Sequence, residues 1–133
     1  MNTTTTILVS KTINRKIARI LKALDNKTKS LVLDILDSPI KWDLVNFYQA
    51  NPFSLHTVKG LANIIGRRQG QVEKEADELA RNGILKNLSD NDPIAVYSYE
   101  PKADISCTIA AIFALGAEDS NLLKQLHEIL REN

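Results

Sequence analysis

The chain has 133 residues, enough for one compact domain with a buried core. Its 44% hydrophobic and 25% charged content is ordinary for a globular protein and excludes a disordered one. A net charge of +1 excludes a uniformly basic surface, one cysteine excludes an intramolecular disulfide, and the longest nearly apolar run, residues 109–117, is too short to cross a bilayer.

The threonine-rich start lacks a basic stretch and has only Ile7, Leu8 and Val9 as an apolar run, so it does not read as a secretory signal. The expectation is a cytoplasmic protein with no membrane partner. Charge is spread unevenly. Residues 11–29 carry seven basic side chains against Asp25 alone, while the remainder has ten basic and fifteen acidic. Such a block marks either a surface that meets a polyanion or acidic partner, or a solvated helix face.

Ile13, Ile17, Ile20, Leu21 and Leu24 form one apolar stripe at helical period, with Arg15, Lys16, Arg19 and Lys22 off the stripe. Asp25, Asn26 and Lys27 read as a break. The dense apolar run 31–36 fits a short helix or a strand; helix is favoured because the run leads straight into the next helix start at Ser38 and Pro39. That next helix carries Ile40, Leu44, Phe47 and Tyr48 and stops at Asn51 and Pro52. Phe53, Ser54 and Leu55 suit a short strand.

Thr57 caps a second helix with Val58, Leu61, Ala62 and Ile65, and Gly66 suits its left-handed end. Gly60 inside that helix costs about 1 kcal/mol against alanine, which a close approach of the following helix would explain. The following helix carries Val72, Ala76, Leu79 and Ala80. It has a poor cap at Arg68 or Gln69 and ends at Asn82 and Gly83. Strand-like runs 84–89 and 94–99 flank a polar tip of Asp90, Asn91 and Asp92. In the second run Ile94, Val96 and Ser98 alternate with Ala95, Tyr97 and Tyr99.

After Pro101, residues 105–115 are apolar nearly all round, a pattern that predicts a helix covered on most sides. A last helix carries Leu122, Leu123, Leu126, Ile129 and Leu130 in one broad stripe. This excess of apolar surface predicts a homodimer through the terminal helices.

The run 58–72, Val-Lys-Gly-Leu-Ala-Asn-Ile-Ile-Gly-Arg-Arg-Gln-Gly-Gln-Val, resembles the second helix, turn and recognition-helix start of bacterial and archaeal winged helix-turn-helix regulators. The continuation 76–85, Ala-Asp-Glu-Leu-Ala-Arg-Asn-Gly-Ile-Leu, is similar to their passage into the wing; MarR-like and ArsR-like groups are nearest in pattern. The resemblance covers about half of the chain. It implies a mostly α (α+β) fold: a winged helix-turn-helix over 38–101 with a small β-wing, a basic helical extension over 1–37, and dimerising helices over 102–133. It also implies a transcriptional regulator that binds double-stranded DNA, with any small-molecule effector unknown.

In that arrangement Val72, Ala76, Leu79 and Ala80 anchor the third helix, and Gln69, Gln71, Glu75 and Glu78 are presented outward. Glutamine pairs with adenine edges. Arg67, Arg68 and Lys74 suit phosphates, which position a protein without reading sequence. Lys86, Asn87 and Asn91 of the wing suit the backbone or minor groove. Against this, residues 73–81 carry four acids and two bases, and the wing tip is acidic. A winged helix that docks a protein instead of DNA is the natural alternative.

No constellation points to an enzyme, a cofactor or a metal. His56 and His127 lack ligands at metal spacing and read as surface or boundary residues. Cys107 reads as a small core residue. Trp42, Phe47, Tyr48 and Phe53 read as core rather than as a ligand pocket.

Overall fold

The computed structural model describes residues 14–89 and 93–132. Among them lie seven helices and one three-stranded antiparallel sheet, an α+β arrangement dominated by helix. No helix is long and apolar enough to cross a membrane. Lys11, Ile13 and the tip residues Asp90, Asn91 and Asp92 fall outside the described residues.

Helices α1 (Arg15–Ala23), α2 (Asn26–Asp37) and α3 (Pro39–Ala50) follow one another almost without connecting chain. Side-chain caps draw their boundaries. Asn14, Asp25 and Ser38 accept hydrogen bonds from the backbone amides of Lys16, Thr28 and Lys41 at 2.7, 2.7 and 3.1 Å. Each such cap contributes about 1 kcal/mol. The break expected at Asp25 is therefore the cap of α2, and the run 31–36 is helical.

Strand β1 (His56–Thr57) leads directly into α4 (Val58–Ile65), followed by α5 (Gln69–Arg81), β2 (Leu85–Asn87) and β3 (Val96–Tyr99). Strand β3 lies in the middle, pairing Thr57 with Val96 on one side and Lys86 with Ser98 on the other. The short strand expected at 53–55 is displaced to 56–57. Ser54 closes a turn on the Asn51 carbonyl, its hydroxyl donating at 2.8 Å, and the turn leaves Phe53 96% exposed. Gly66 and Gly83 end α4 and α5 with φ of 69° and 81°, a region that side chains avoid. Gly60 has a different reason from the one expected. Nothing from α5 approaches it; its nearest neighbour is the capping Thr57 hydroxyl at 3.3 Å.

Two apolar cores result. The first gathers Leu44, Val45 and Tyr48 of α3, Leu61 of α4, Val72, Ala76 and Leu79 of α5, and Ile84, Leu85 and Tyr97 of the β-region. The tyrosine face of β3 is the inner one: Tyr99 stacks on Tyr48, and the buried Tyr48 hydroxyl donates to the Tyr97 carbonyl at 2.9 Å. Burial pushes the Tyr48 phenol up to about 12.

The second core joins Ile17 and Ile20 of α1, Val32 of α2, Ile112 and Leu115 of α6 (Ala103–Glu118), and Leu126 and Leu130 of α7 (Ser120–Glu132). Trp42 packs against both cores and stacks on Phe113 with ring centroids 4.0 Å apart. Asp37 fastens α2 to α7, accepting from Arg131 at 2.7 Å and contacting the His127 ring at 2.6 Å. These bonds hold the Asp37 carboxyl below its ordinary value, the Arg131 contact contributing most.

Two expectations for the ends of the chain are corrected. The α7 stripe is buried within the same chain, against α2 and α6. Helix α6 is covered on one side only: Ala103, Cys107, Ala110, Ala111, Ala114 and Ala117 are exposed. Cys107 is thus a surface thiol rather than a core residue, because the large side chains Ile109, Ile112 and Leu115 take the inner face.

Gly66 meets no atom within 4 Å of a built Cβ, so its role is conformational alone. Replacing it by alanine is expected to destabilise the fold by about 1–2 kcal/mol, the cost of holding an L-residue in the left-handed region. Urea denaturation of Gly66→Ala measures this.

Candidate functional site

Helix α5 is set by one buried cation. Lys41 sits in the apolar face of α3 with only 3% of its side chain exposed. Its ammonium donates to Asp34 of α2 at 2.9 Å and to Glu78 of α5 at 2.6 Å, and lies 3.4 Å from Glu75. Burial opposes the charged form of Lys41. The hydrogen bonds to Glu78 and Asp34, with the charges of Asp34 and Glu75, outweigh it and hold the pKa above its ordinary value. The Lys41 hydrogen bond, then its charge, lowers the Glu78 carboxyl.

This corrects the expected orientation of α5. Glu75 and Glu78 turn inward to Lys41 rather than outward, because a buried ammonium must be paired. Asp77 also has a partner: it accepts a hydrogen bond from the Tyr97 hydroxyl. Burial, then that bond and the Asp77 charge, raise the Tyr97 phenol above its ordinary value. Of the four acids of α5, Glu73 alone is exposed. The sequence signal for Lys41 was a lysine inside an apolar helix face, one residue after Ile40 and three before Leu44.

The other expected residues divide into groups. Arg68, Gln69, Gln71 and Lys74 are exposed around the first turns of α5. The N-cap Arg68 makes no side-chain cap hydrogen bond, as expected of that position. The first amides of α5 have no intrahelical acceptor, and the helix dipole adds a partial positive charge beside them. Gly70 in the first turn meets nothing within 4 Å, so the fold itself does not require a glycine there.

Arg67 is held aside. Its guanidinium donates to Asp43 of α3 at 3.0 Å, with both side chains over one third exposed. Lys86 and Asn87 are exposed on β2, and the Asn87 carboxamide oxygen accepts from the Ser89 amide at 3.0 Å. Asn91 lies outside the described residues. Phe53, Leu55, Leu88 and Ile94 are exposed beside the ends of the strands.

The aromatic cluster is core for Trp42, Phe47 and Tyr48, which pack on Phe113, His56 and Tyr99. Phe53 departs from that expectation. Among the described residues no group of three or more His, Cys, Asp or Glu side chains is placed to hold a metal ion. Compared with protein-family models, curated proteins and solved structures, the chain matches none.

Lys41→Met keeps most of the apolar stem and removes the charge. It is expected to cost about 1–3 kcal/mol in urea denaturation, below the full figure for a buried pair because the Asp34 and Glu78 carboxylates are partly exposed. The pH profile is a second readout. Glu78 has a lowered folded pKa, so its contribution is complete above the ordinary 4.5 and drains away as pH falls through that value toward the lowered one. Thermal unfolding of the wild type should weaken over that acid range, and Lys41→Met should flatten the dependence.

Proposed function

We propose that residues 38–101 form a winged helix-turn-helix that binds double-stranded DNA, and that the chain is a dimeric regulator of transcription. One observation carries this reading: α5 turns Glu75, Asp77 and Glu78 toward partners in other elements and leaves its polar start outside. With Glu75 and Glu78 paired to Lys41 and Asp77 bonded to Tyr97, the exposed first turns offer Arg68, Gln69, Gln71 and Lys74. Lys41 offsets one of the three charges of Asp34, Glu75 and Glu78, and Glu73 stays exposed, so the objection from an acidic recognition helix is reduced rather than removed.

The order of elements supports the same reading. Helices α3, α4 and α5 are followed by a hairpin whose second strand pairs with β1. The turn at Gly66 sets α4 against α5, as a helix-turn-helix requires. In this reading Gln69 and Gln71 address base edges, Arg68 and Lys74 address phosphates, and Lys86 and Asn87 extend the contact from the wing. Gly70 lets a phosphate come close to the helix backbone. Arg67 contributes only by leaving Asp43. The dimer would use the exposed face of α6, where Ala103, Cys107, Ala110, Ala114 and Ala117 follow a four-three spacing and carry no charge.

A second reading has its own observation. The exposed apolar side chains Phe53, Leu55, Leu88 and Ile94 suit a protein-docking module that binds no DNA.

The experiment is duplex binding by the full chain. Arg68→Ala with Lys74→Ala should weaken binding about tenfold or more at low salt and reduce the salt slope by about 2. Gly70→Ala should raise stability by about 0.5–1 kcal/mol while weakening binding. A wild type that leaves random and genomic duplexes unshifted at low salt would return the second reading. For the dimer, Ala110→Glu should convert the sedimenting species to a monomer.

A further inference from the structure

Helix α1 presents a charged face that neither the fold nor the proposed α5 surface uses. Its nine residues include Arg15, Lys16, Arg19 and Lys22 and no acid. At 100° per residue, Arg15, Arg19 and Lys22 lie within an arc of about 60°, on the side opposite Ile17 and Ile20, and form a ladder about 10 Å long. All three are exposed, and among the described residues no ion pair reaches them. Lys16, off to one side, is paired with Glu118 of α6.

Stability does not account for the ladder. Arg15 stands in the first turn, where the positive end of the helix dipole disfavours a cation, and of the three only Lys22, in the last turn, gains from the dipole. The three like charges also repel one another along the face. A membrane is an unsuitable partner, because the apolar side of α1 is already spent in the second core, with Ile17 0% and Ile20 5% exposed. A regular ladder of two guanidinium groups and an ammonium matches a chain of phosphates, which arginine grips through paired hydrogen bonds.

We infer that the Arg15, Arg19 and Lys22 face of α1 binds the sugar-phosphate backbone of nucleic acid, as a contact separate from the α5 surface. The separation follows from the packing: α1 sits on α6 in the second core, and α5 sits in the first. The inference rests on the preceding reading only for the class of partner.

The test is the triple variant Arg15→Gln, Arg19→Gln, Lys22→Gln in the full chain, titrated with random-sequence duplex by fluorescence anisotropy from about 50 to 200 mM salt. Thermal unfolding is expected to hold or rise slightly, since all three side chains are exposed and their mutual repulsion is removed. The logarithmic salt slope should fall by about 2–3, close to 0.9 per phosphate released, with at least about tenfold weaker binding at low salt. The charge-keeping variant Arg15→Lys with Arg19→Lys should retain most of the binding.

A triple variant that binds with the wild-type slope, while Arg68→Ala with Lys74→Ala weakens binding, overturns this inference and leaves the α5 reading standing. The opposite pattern keeps this inference and removes that reading. A wild type that binds no duplex sinks both. Equal binding to poly-aspartate, lost in the same triple variant, makes the face a general polyanion site and overturns the phosphate assignment.

Discussion

A single ammonium group decides how α5 sits. Lys41 is enclosed by α2, α3 and α5, and an enclosed cation without partners would cost several kcal/mol. The carboxylates of Asp34, Glu75 and Glu78 meet that demand. Two of the three come from α5, so the pairing fixes the rotation of that helix about its own axis as well as its position. Apolar contacts through Val72, Ala76 and Leu79 would tolerate a modest roll; the Lys41–Glu78 hydrogen bond at 2.6 Å and the Glu75 contact at 3.4 Å oppose it. The cluster thus contributes more to specificity than to net stability, as is usual for buried ion pairs.

The same setting links α5 to the rest of the chain. Asp34 stands on α2, whose other face enters the second core through Val32 and whose end is fastened to α7 through Asp37. Trp42, one residue after Lys41, bridges the two cores and stacks on Phe113 of α6. Two adjacent residues of α3 thus tie it to both regions, Lys41 by charge to Glu75 and Glu78 of α5 and Trp42 by stacking on Phe113 of α6. Close-packed interiors pass strain on rather than absorb it.

Much of this fold was legible in the chain because its punctuation is local. Ser38 with Pro39, Thr57, Gly66 and Gly83 act on neighbouring amides or on a single φ angle, and each stands where its chemistry is needed. Helical periodicity located α1, α3, α4, α5 and α7 for the same reason. What was not legible is long-range. The partners of Glu75, Glu78 and Asp77 are 34, 37 and 20 residues away, at Lys41 and Tyr97, and nothing in a helical wheel of α5 announces them. Helix α6 misleads in the opposite direction. Its alanines and Cys107 count as apolar in a pattern, yet only the larger Ile109, Ile112 and Leu115 bury enough area to hold the helix down. The turn at Asn51 moved the first strand by about two residues, an error of the size that boundaries drawn from propensity carry.

Charge shows why composition is a poor guide to a surface. The net value of +1 and the −2 of residues 73–81 both suggest little attraction for a polyanion. The −2 counts Glu75 and Glu78, which turn to Lys41, and Asp77, which meets the Tyr97 hydroxyl; the +1 counts in addition Asp37 on Arg131 and Asp25 on the amides that begin α2. An acid paired with a cation, as Asp37 is with Arg131, contributes little to the field outside, since the two charges cancel within a few ångströms and the remainder is screened within about 8–10 Å, whereas Asp77 on a neutral hydroxyl and Asp25 on backbone amides keep their charge. Arg15, Arg19 and Lys22 of α1 and Arg68 and Lys74 at the start of α5 have no such partners among the described residues. The field that an approaching molecule meets is set by that remainder, and on the proposed reading it is positive at two separate places on a nearly neutral protein.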